Sequence, residues 1–233
     1  MKKLIIHLFL IILLIIAIVI TVVILNGYKL YKSTIEEKSL KDKISEIKSK
    51  STYVSYNEVP DYYINAIIAV EDHRYREHRV LDIISIGRAI VSNIRAKDFN
   101  EGGSTITQQV AKNLYFITED DFVSRKIAEF FVANDLEHNY SKNDVLEFYI
   151  NTIYFGEGYY GIKEASNGYY NKDPKDLTLY EATLLAGVPN APSVYNPKAS
   201  MKLAKSRQKK VINDMVQYGY LTQDEANKLL EEN

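Results

Sequence analysis

Ala66-Ile67-Ile68-Ala69-Val70-Glu71-Asp72-His73-Arg74-Tyr75, running on to His78 and Asp82, joins an apolar segment to two carboxylates, a histidine and an arginine with no turn residue between them. Ile64, Ile67 and Ile68 recur at helical spacing, and Glu71 falls on the same face, four residues past Ile67 and three past Ile68. A carboxylate that extends an apolar stripe is either the point where a helix surfaces into water or a group held half-desolvated. In the second case burial raises its pKa toward the range of a general acid or base. The stretch alone leaves both readings open.

Outward from this segment the pattern stays helical. Ser141 with Asp144, Thr178 with Glu181 and Thr222 with Glu225 each have the spacing of a helix start, and strand signals are sparse. The expected fold class is therefore mainly α. At the N-terminus, Leu4 to Leu25 is an apolar, Ile/Leu/Val-rich run of 22 residues interrupted only by His7 and Thr21. At ~1.5 Å per residue it spans a hydrocarbon core of ~30 Å. Asn26-Gly27-Tyr28 offers no small-x-small cleavage site, so residues 1–28 read as an uncleaved transmembrane signal anchor. Lys2 and Lys3 before the span and Lys29 and Lys32 after it nearly balance, but a long C-terminal domain translocates regardless. The expected topology is single-pass in the cell membrane, N-in and C-out, with the catalytic domain extracytoplasmic. Residues 29–52 read as a charged helical stalk carrying Leu40, Ile44 and Ile47, and residues 53–233 as the globular domain.

Composition narrows the function. The chain has 233 residues, no cysteine and a formal net charge of −1, which excludes a disulfide framework and a thiolate nucleophile. Setting aside Lys2 and Lys3, 27 basic side chains face 30 acidic ones, so no nucleic-acid partner is expected. His73, His78 and His138 lack a shared helix face, so no metal site is read from them.

Two further blocks carry chemistry. In Gly102-Gly103-Ser104-Thr105-Ile106-Thr107-Gln108-Gln109-Val110-Ala111-Lys112-Asn113, Thr105 caps a helix with Gln108 as its partner. Thr105, Gln108, Gln109 and Lys112 then form a polar stripe, and Ile106, Val110 and Leu114 an apolar one. Amides ending in a lysine beside a helix N-terminus suit sugar hydroxyls and phosphate oxygens. In Arg125-Lys126-Ile127-Ala128-Glu129, behind Ser124 as a candidate cap, Arg125 and Glu129 are one turn apart and could simply pair at the surface. Read with Glu71, Glu129 is a second acid beside two cations, which is the equipment for glycosyl transfer from a phosphate leaving group. The apolar segment 83–94, flanked by Arg88 and Arg95, fits either a core helix or a membrane-dipping segment. The final third reads as structural.

Together these blocks resemble the peptidoglycan glycosyltransferases of family 51, the biosynthetic transglycosylases, in their monofunctional form. The resemblance rests on Glu71-Asp72-His73-Arg74-Tyr75 with His78, the Gly102-to-Asn113 block, and Arg125-Lys126 with Glu129. Tyr149-Ile150-Asn151, Gly156, Gly161 and Pro192 with Tyr195 and Pro197 also fit it. It implies a lysozyme-like glycosyltransferase domain that polymerises lipid II into glycan strands, with inversion at MurNAc C1 and release of undecaprenyl pyrophosphate. Glu71 matches the general base and Glu129 the second essential carboxylate. Substrate-binding roles fall to Asp72, His78, Ser104, Thr105, Gln108, Gln109, Lys112, Asn113, Arg125 and Lys126. Residues 83–101 match a membrane-associated jaw. The implied partners are lipid II, the growing lipid-linked glycan, the membrane, phosphoglycolipid inhibitors such as moenomycin, penicillin-binding proteins and divisome proteins. No covalent cofactor is implied, and a divalent cation, Mg or Mn, is compatible with the resemblance.

Four residues depart from the family pattern: Tyr75 for a common phenylalanine, Val80 for a glycine, Ala128 for a lysine and Asp121 for an arginine. The last two remove cations from a diphosphate site. A hydrolase acting on finished glycan with Glu71 and Glu129, and a non-catalytic scaffold, are the competing readings.

Overall fold

The computed structural model describes residues 2–82 and 103–231. Segment 83–101, expected as a membrane-associated jaw, lies outside the described residues.

Helix α1 (Lys2–Glu37) begins with the apolar run and continues without a break past Asn26-Gly27. It is long and apolar enough to cross a membrane, and its most apolar stretch is not buried against the rest of the protein. Beyond the run, α1 becomes a packing element. Gly27 is buried, and Leu30, Tyr31 and Ile35 lie against the core. Their partner is α5 (Phe122–Asn139). The Tyr28 and Tyr31 rings meet Phe131 at 5.1 and 5.4 Å, and the Tyr31 hydroxyl donates to Asp135 Oδ2 at 2.6 Å. A Cβ on Gly27 would stand 2.4 Å from Ile127 Cβ and 3.0 Å from the Ser124 carbonyl, so this crossing requires a residue without a side chain. Gly27→Leu is expected to force the two helices apart and destabilise the fold by ~1–3 kcal/mol. Thermal unfolding in detergent checks this, and an unchanged melting temperature would show that the crossing tolerates a side chain at this position.

The stalk expected over residues 29–52 is not free-standing. Helix α2 (Leu40–Lys48), capped by Ser39, which accepts from the Asp42 N–H at 3.2 Å, buries Leu40, Ile44 and Ile47 in the main hydrophobic core. Its charged residues cover the outer face, so a pattern that looks like a spacer is the amphipathic edge of the domain.

The remaining helices form two groups. Helix α3 (Asp61–Glu71) packs on α8 (Leu179–Gly187) and α10 (Pro197–Gln217). Helix α4 (Ile106–Tyr115) packs on α5 and α6 (Lys142–Thr152). Tyr63, Ile64, Ile67 and Ile68 of α3 share one core with Val110, Val132, Leu136, Leu146 and Ile150 of the second group. Short helices α7 (Ile162–Tyr170) and α9 (Pro192–Tyr195) and the terminal α11 (Gln223–Glu231) complete the order. The only strand-like pairing among the described residues is an isolated antiparallel bridge between Tyr154 and Tyr160. It closes on Gly161, whose φ is +83° and where an added Cβ would stand 3.0 Å from the Asn151 carbonyl oxygen, so a side chain is excluded. The fold is thus mainly α, as expected.

Candidate active site

A cleft of about 730 Å³ opens between the two helix groups. Glu71 stands in it because α3 ends there: Asp72 leaves the helical conformation, with φ −159° and ψ 72°. That departure frees the Asp72 carboxylate to tie three segments together. Oδ1 lies 2.7 Å from His78 Nε2, and Oδ2 accepts the Ile106 N–H at 3.2 Å. The end of α3 is thereby fastened to the start of α4, which places Gln109 beside Glu71. Gln109 Nε2 donates to Glu71 Oε2 at 2.9 Å. The other oxygen, Oε1, is buried without a hydrogen-bond partner. Burial raises the Glu71 pKa above the ordinary glutamate value. The Gln109 hydrogen bond and the Arg207 charge oppose that rise, and the neighbouring Asp72 charge adds to it.

The α4 block folds as its spacing suggests. Thr105 Oγ1 accepts the Gln108 N–H at 3.3 Å while Gln108 Oε1 accepts the Thr105 N–H at 3.0 Å, closing a capping box. The Thr105 hydroxyl also donates to the Val80 carbonyl at 3.2 Å, so Val80 is buried and serves as an anchor point. Ser104, Gln108, Gln109, Lys112 and Asn113 line the cleft, and Lys112 is exposed with no ion-pair partner among the described residues.

On α5, Lys126 reaches the cleft while Glu129 lies behind it. Lys126 Nζ donates to Glu129 Oε2 at 2.6 Å and to Ser104 Oγ at 3.2 Å. Glu129 is fully buried, and its Oε1 stands 3.4 Å from Arg125 Nε. The Arg125–Glu129 pair is therefore not a surface pair. Arg125 Nη1 donates to the Glu119 carbonyl at 3.0 Å. The cap of α5 is Asp121 rather than Ser124: its carboxylate accepts the N–H groups of Val123 and Ser124 at 3.1 and 3.2 Å. Asp121, which looked like a missing cation, thus starts the helix that carries Lys126 and Glu129. Ala128 is packed in the core.

Of the residues singled out in the sequence, Glu71, Asp72, Ser104, Gln108, Gln109, Lys112, Asn113 and Lys126 line the cleft. Thr105, His78, Arg125 and Glu129 support them from behind. His73 also lines the cleft, stacked on Tyr218 with ring centroids 4.3 Å apart.

The final third, expected to be structural, contributes a wall. Arg207, Lys210, Asp214 and Gln217 of α10, with Tyr218 just beyond it, line the cleft, as do Asn190, Tyr154 and Tyr160. The signal was present: Arg207, Lys210, Asp214 and Gln217 recur at helical spacing on the face next to buried Ala204, Val211 and Met215. A polar helix face ordinarily meets water, so the spacing does not reveal that it faces a site. Lys210 is held by Asp214 at 2.8 Å, while Arg207 Nε is buried without a hydrogen-bond partner. Lys112, Lys126, Arg207 and Lys210 thus bring four cations to the cleft beside Glu71, with Lys126 paired to Glu129 and Lys210 to Asp214.

Asp72, His78 and Asp82 place three donor atoms within 4.8 Å of one another. Each is already engaged. Asp72 bonds His78 and the α4 backbone, and Asp82 pairs with Arg74 Nη1 at 3.2 Å. Burial by itself would depress the His78 pKa, but the Asp72 carboxylate outweighs it and the net shift is upward. All three donor groups are thus engaged with protein partners in this arrangement.

The family model described as Transglycosylase matches residues 37–216. Penicillin-binding protein 1F of Bacillus subtilis is 47% identical over 173 residues, covering 74% of this chain and 24% of that protein. Penicillin-binding protein 1A of Neisseria lactamica is 42% identical over 180 residues, covering 77% of this chain and 22% of its own length. The crystal structure of penicillin-binding protein 1A from Haemophilus influenzae superposes with a TM-score of 0.39 at 29% identity, over 55% of this chain and 16% of that one. The chain thus spans about a quarter of the length of these curated relatives. The matched region runs from the end of α1 through nearly all of α10 and takes in every lining residue of the cleft except Gln217 and Tyr218, and on that ground the chain belongs to the transglycosylase family.

Proposed function

We propose that this chain is a peptidoglycan glycosyltransferase that extends glycan strands from lipid II. The observation that carries the reading is Glu71: a shielded carboxylate with a raised pKa and one unpartnered oxygen, set in a cleft with four cationic side chains. A base of that kind suits deprotonation of the 4-hydroxyl of an incoming GlcNAc. The hydroxyl oxygen attacks MurNAc C1 of the lipid-linked donor from the face opposite the phosphate. The C1–O bond to phosphate breaks, C1 inverts, and the electron pair leaves on undecaprenyl pyrophosphate. Lys112, Lys126 and Arg207 would hold the charge that develops there. Glu129, behind Lys126, orients that ammonium rather than touching the sugar. Gln108, Gln109 and Asn113 are placed for sugar hydroxyls and phosphate oxygens. The proposed setting is the outer face of the cell membrane, with α1 crossing N-in and C-out. Its proposed partners are moenomycin-like phosphoglycolipids as inhibitors, and penicillin-binding and divisome proteins as co-workers.

A hydrolase needs no cationic pyrophosphate cradle, which favours transfer over cleavage. The test presents the full-length protein in proteoliposomes with lipid II and, separately, with mature strands. Polymer from lipid II is expected. Sugar release from strands without polymerisation would establish the hydrolase instead, and turnover of neither would establish a scaffold. Lys112→Ala should weaken phosphoglycolipid binding by about 10- to 100-fold, the loss of one charge-assisted contact of ~1.5–3 kcal/mol. Calorimetric titration reads it, and an unchanged Kd would remove Lys112 from the diphosphate site.

A further inference from the structure

Three large apolar side chains near the cleft stand open to solvent with no partner in the core: Ile117, Phe122 and Val123, at 56%, 60% and 51% exposure. They belong to the connection between α4 and α5 and to the first turn of α5. Ile117 also lines the cleft, as Lys126 does, and its exposure puts it on the open side. A surface this apolar beside a polar cleft calls for a covering partner.

The packing of α1 identifies it. Gly27 abuts Ser124 and Ile127, and Tyr31 reaches Phe131 and Asp135, so α1 and α5 run in the same direction with Gly27 level with Ile127. Phe122 lies five residues before Ile127, or ~7.5 Å back along the helix axis. The same step back from Gly27 along α1 reaches Val22, which is inside the apolar run that ends at Leu25. Val23 is half-buried while Val22 and Ile24 are exposed, so the contact with the folded domain begins within that run.

We infer that Ile117, Phe122 and Val123 form a lip seated in the lipid bilayer at the mouth of the cleft, beside the anchor helix. The inference rests on α1 spanning the membrane. Arg125, whose guanidinium lies 5.3 Å from the centre of the Phe122 ring, then sits at headgroup depth with its stem along the apolar lip. Glu119, Asp120 and Asp121 share the connection, so the seat is apolar and needs no anionic headgroup. The lip would hold the cleft mouth at the depth where a polar head joins its lipid tail, letting the tail remain in the bilayer while the head enters.

The chain contains no tryptophan, so a single introduced one reports on its own surroundings. Phe122→Trp and, separately, Val123→Trp are placed in the full chain and reconstituted into phosphatidylcholine vesicles, with Phe9→Trp as the reference within the anchor. Both positions are surface side chains, and circular dichroism verifies retained helicity. The expected result is blue-shifted emission, quenched by phosphatidylcholine brominated near the headgroup end of its chains and protected from aqueous iodide. Quenching by iodide with no response to brominated lipid, while Phe9→Trp responds, overturns the lip alone. Protection from both quenchers also overturns it, because protein then covers the surface. If Phe9→Trp itself fails to respond to brominated lipid, the anchor reading falls first.

Discussion

Glu71→Gln is expected to lower polymerisation by ~10²–10⁴-fold, the usual contribution of a positioned general base. The amide keeps nearly the same shape and can still meet Gln109, so the loss isolates the proton-accepting function rather than the packing. Measured single-turnover rates should fall while donor binding holds. The wild-type profile of kcat/KM against pH should carry an acid limb above the ordinary glutamate value of 4.5, because burial raises the Glu71 pKa. The stability consequence has the opposite sign to the activity. Where the folded pKa lies above the unfolded one, the folded state binds more protons across the interval, and stability falls as pH rises through it. At neutral pH the ionised carboxylate therefore costs stability. Glu71→Gln should melt no lower than the wild type at pH 7, with any advantage vanishing below pH 4.5. Near-normal turnover would place the base elsewhere.

Glu129→Ala should be nearly as damaging to activity, by a different route. Glu129 accepts from Lys126 at 2.6 Å and pairs with Arg125 at 3.4 Å, so its removal frees both cations from their positions. Misplacing one group that stabilises developing charge costs ~10²–10³-fold in rate. The stability loss should stay below the ~3–5 kcal/mol of a fully buried pair, because Lys126 and Arg125 retain access to water. Kinetics separates this variant from Glu71→Gln. KM for the donor and the Kd of a phosphoglycolipid should both rise in Glu129→Ala, whereas Glu71→Gln should change kcat with little change in donor affinity. If Glu129→Ala left donor affinity intact, the carboxylate would have to act on the sugar directly.

Much of this site follows from local rules. The helix ending at Glu71, the capping box of Thr105 with Gln108, and the apolar stripe of Ile106, Val110 and Leu114 are all set by residues within a turn or two of one another. The apolar run from Leu4 to Leu25 is equally local, since length and hydropathy alone decide whether a helix can cross a bilayer. Where a local pattern had two competent answers, it misled. Ser124 and Asp121 are both capping residues, and the carboxylate wins because it reaches two backbone N–H groups at once. The Leu40, Ile44, Ile47 stripe fits a spacer helix and a core-facing helix equally well, and α2 proves to be the second.

The sequence, then, determined which segments are helical, which face of each is apolar, and that one carboxylate continues an apolar stripe. It could not determine what meets each polar face, because that depends on contacts between residues far apart in the chain. Asp72 joins α3 to α4 across more than thirty positions, and Arg207 arrives beside Glu71 from the far end of the chain. The fold supplied the fourth wall of the cleft from α10. It also sealed the anchor helix against α5 through Gly27 and set Lys126 between Ser104 and a buried Glu129. The carboxylate at the end of α3 becomes a candidate base only there, because desolvation is a property of the surroundings and not of the residue.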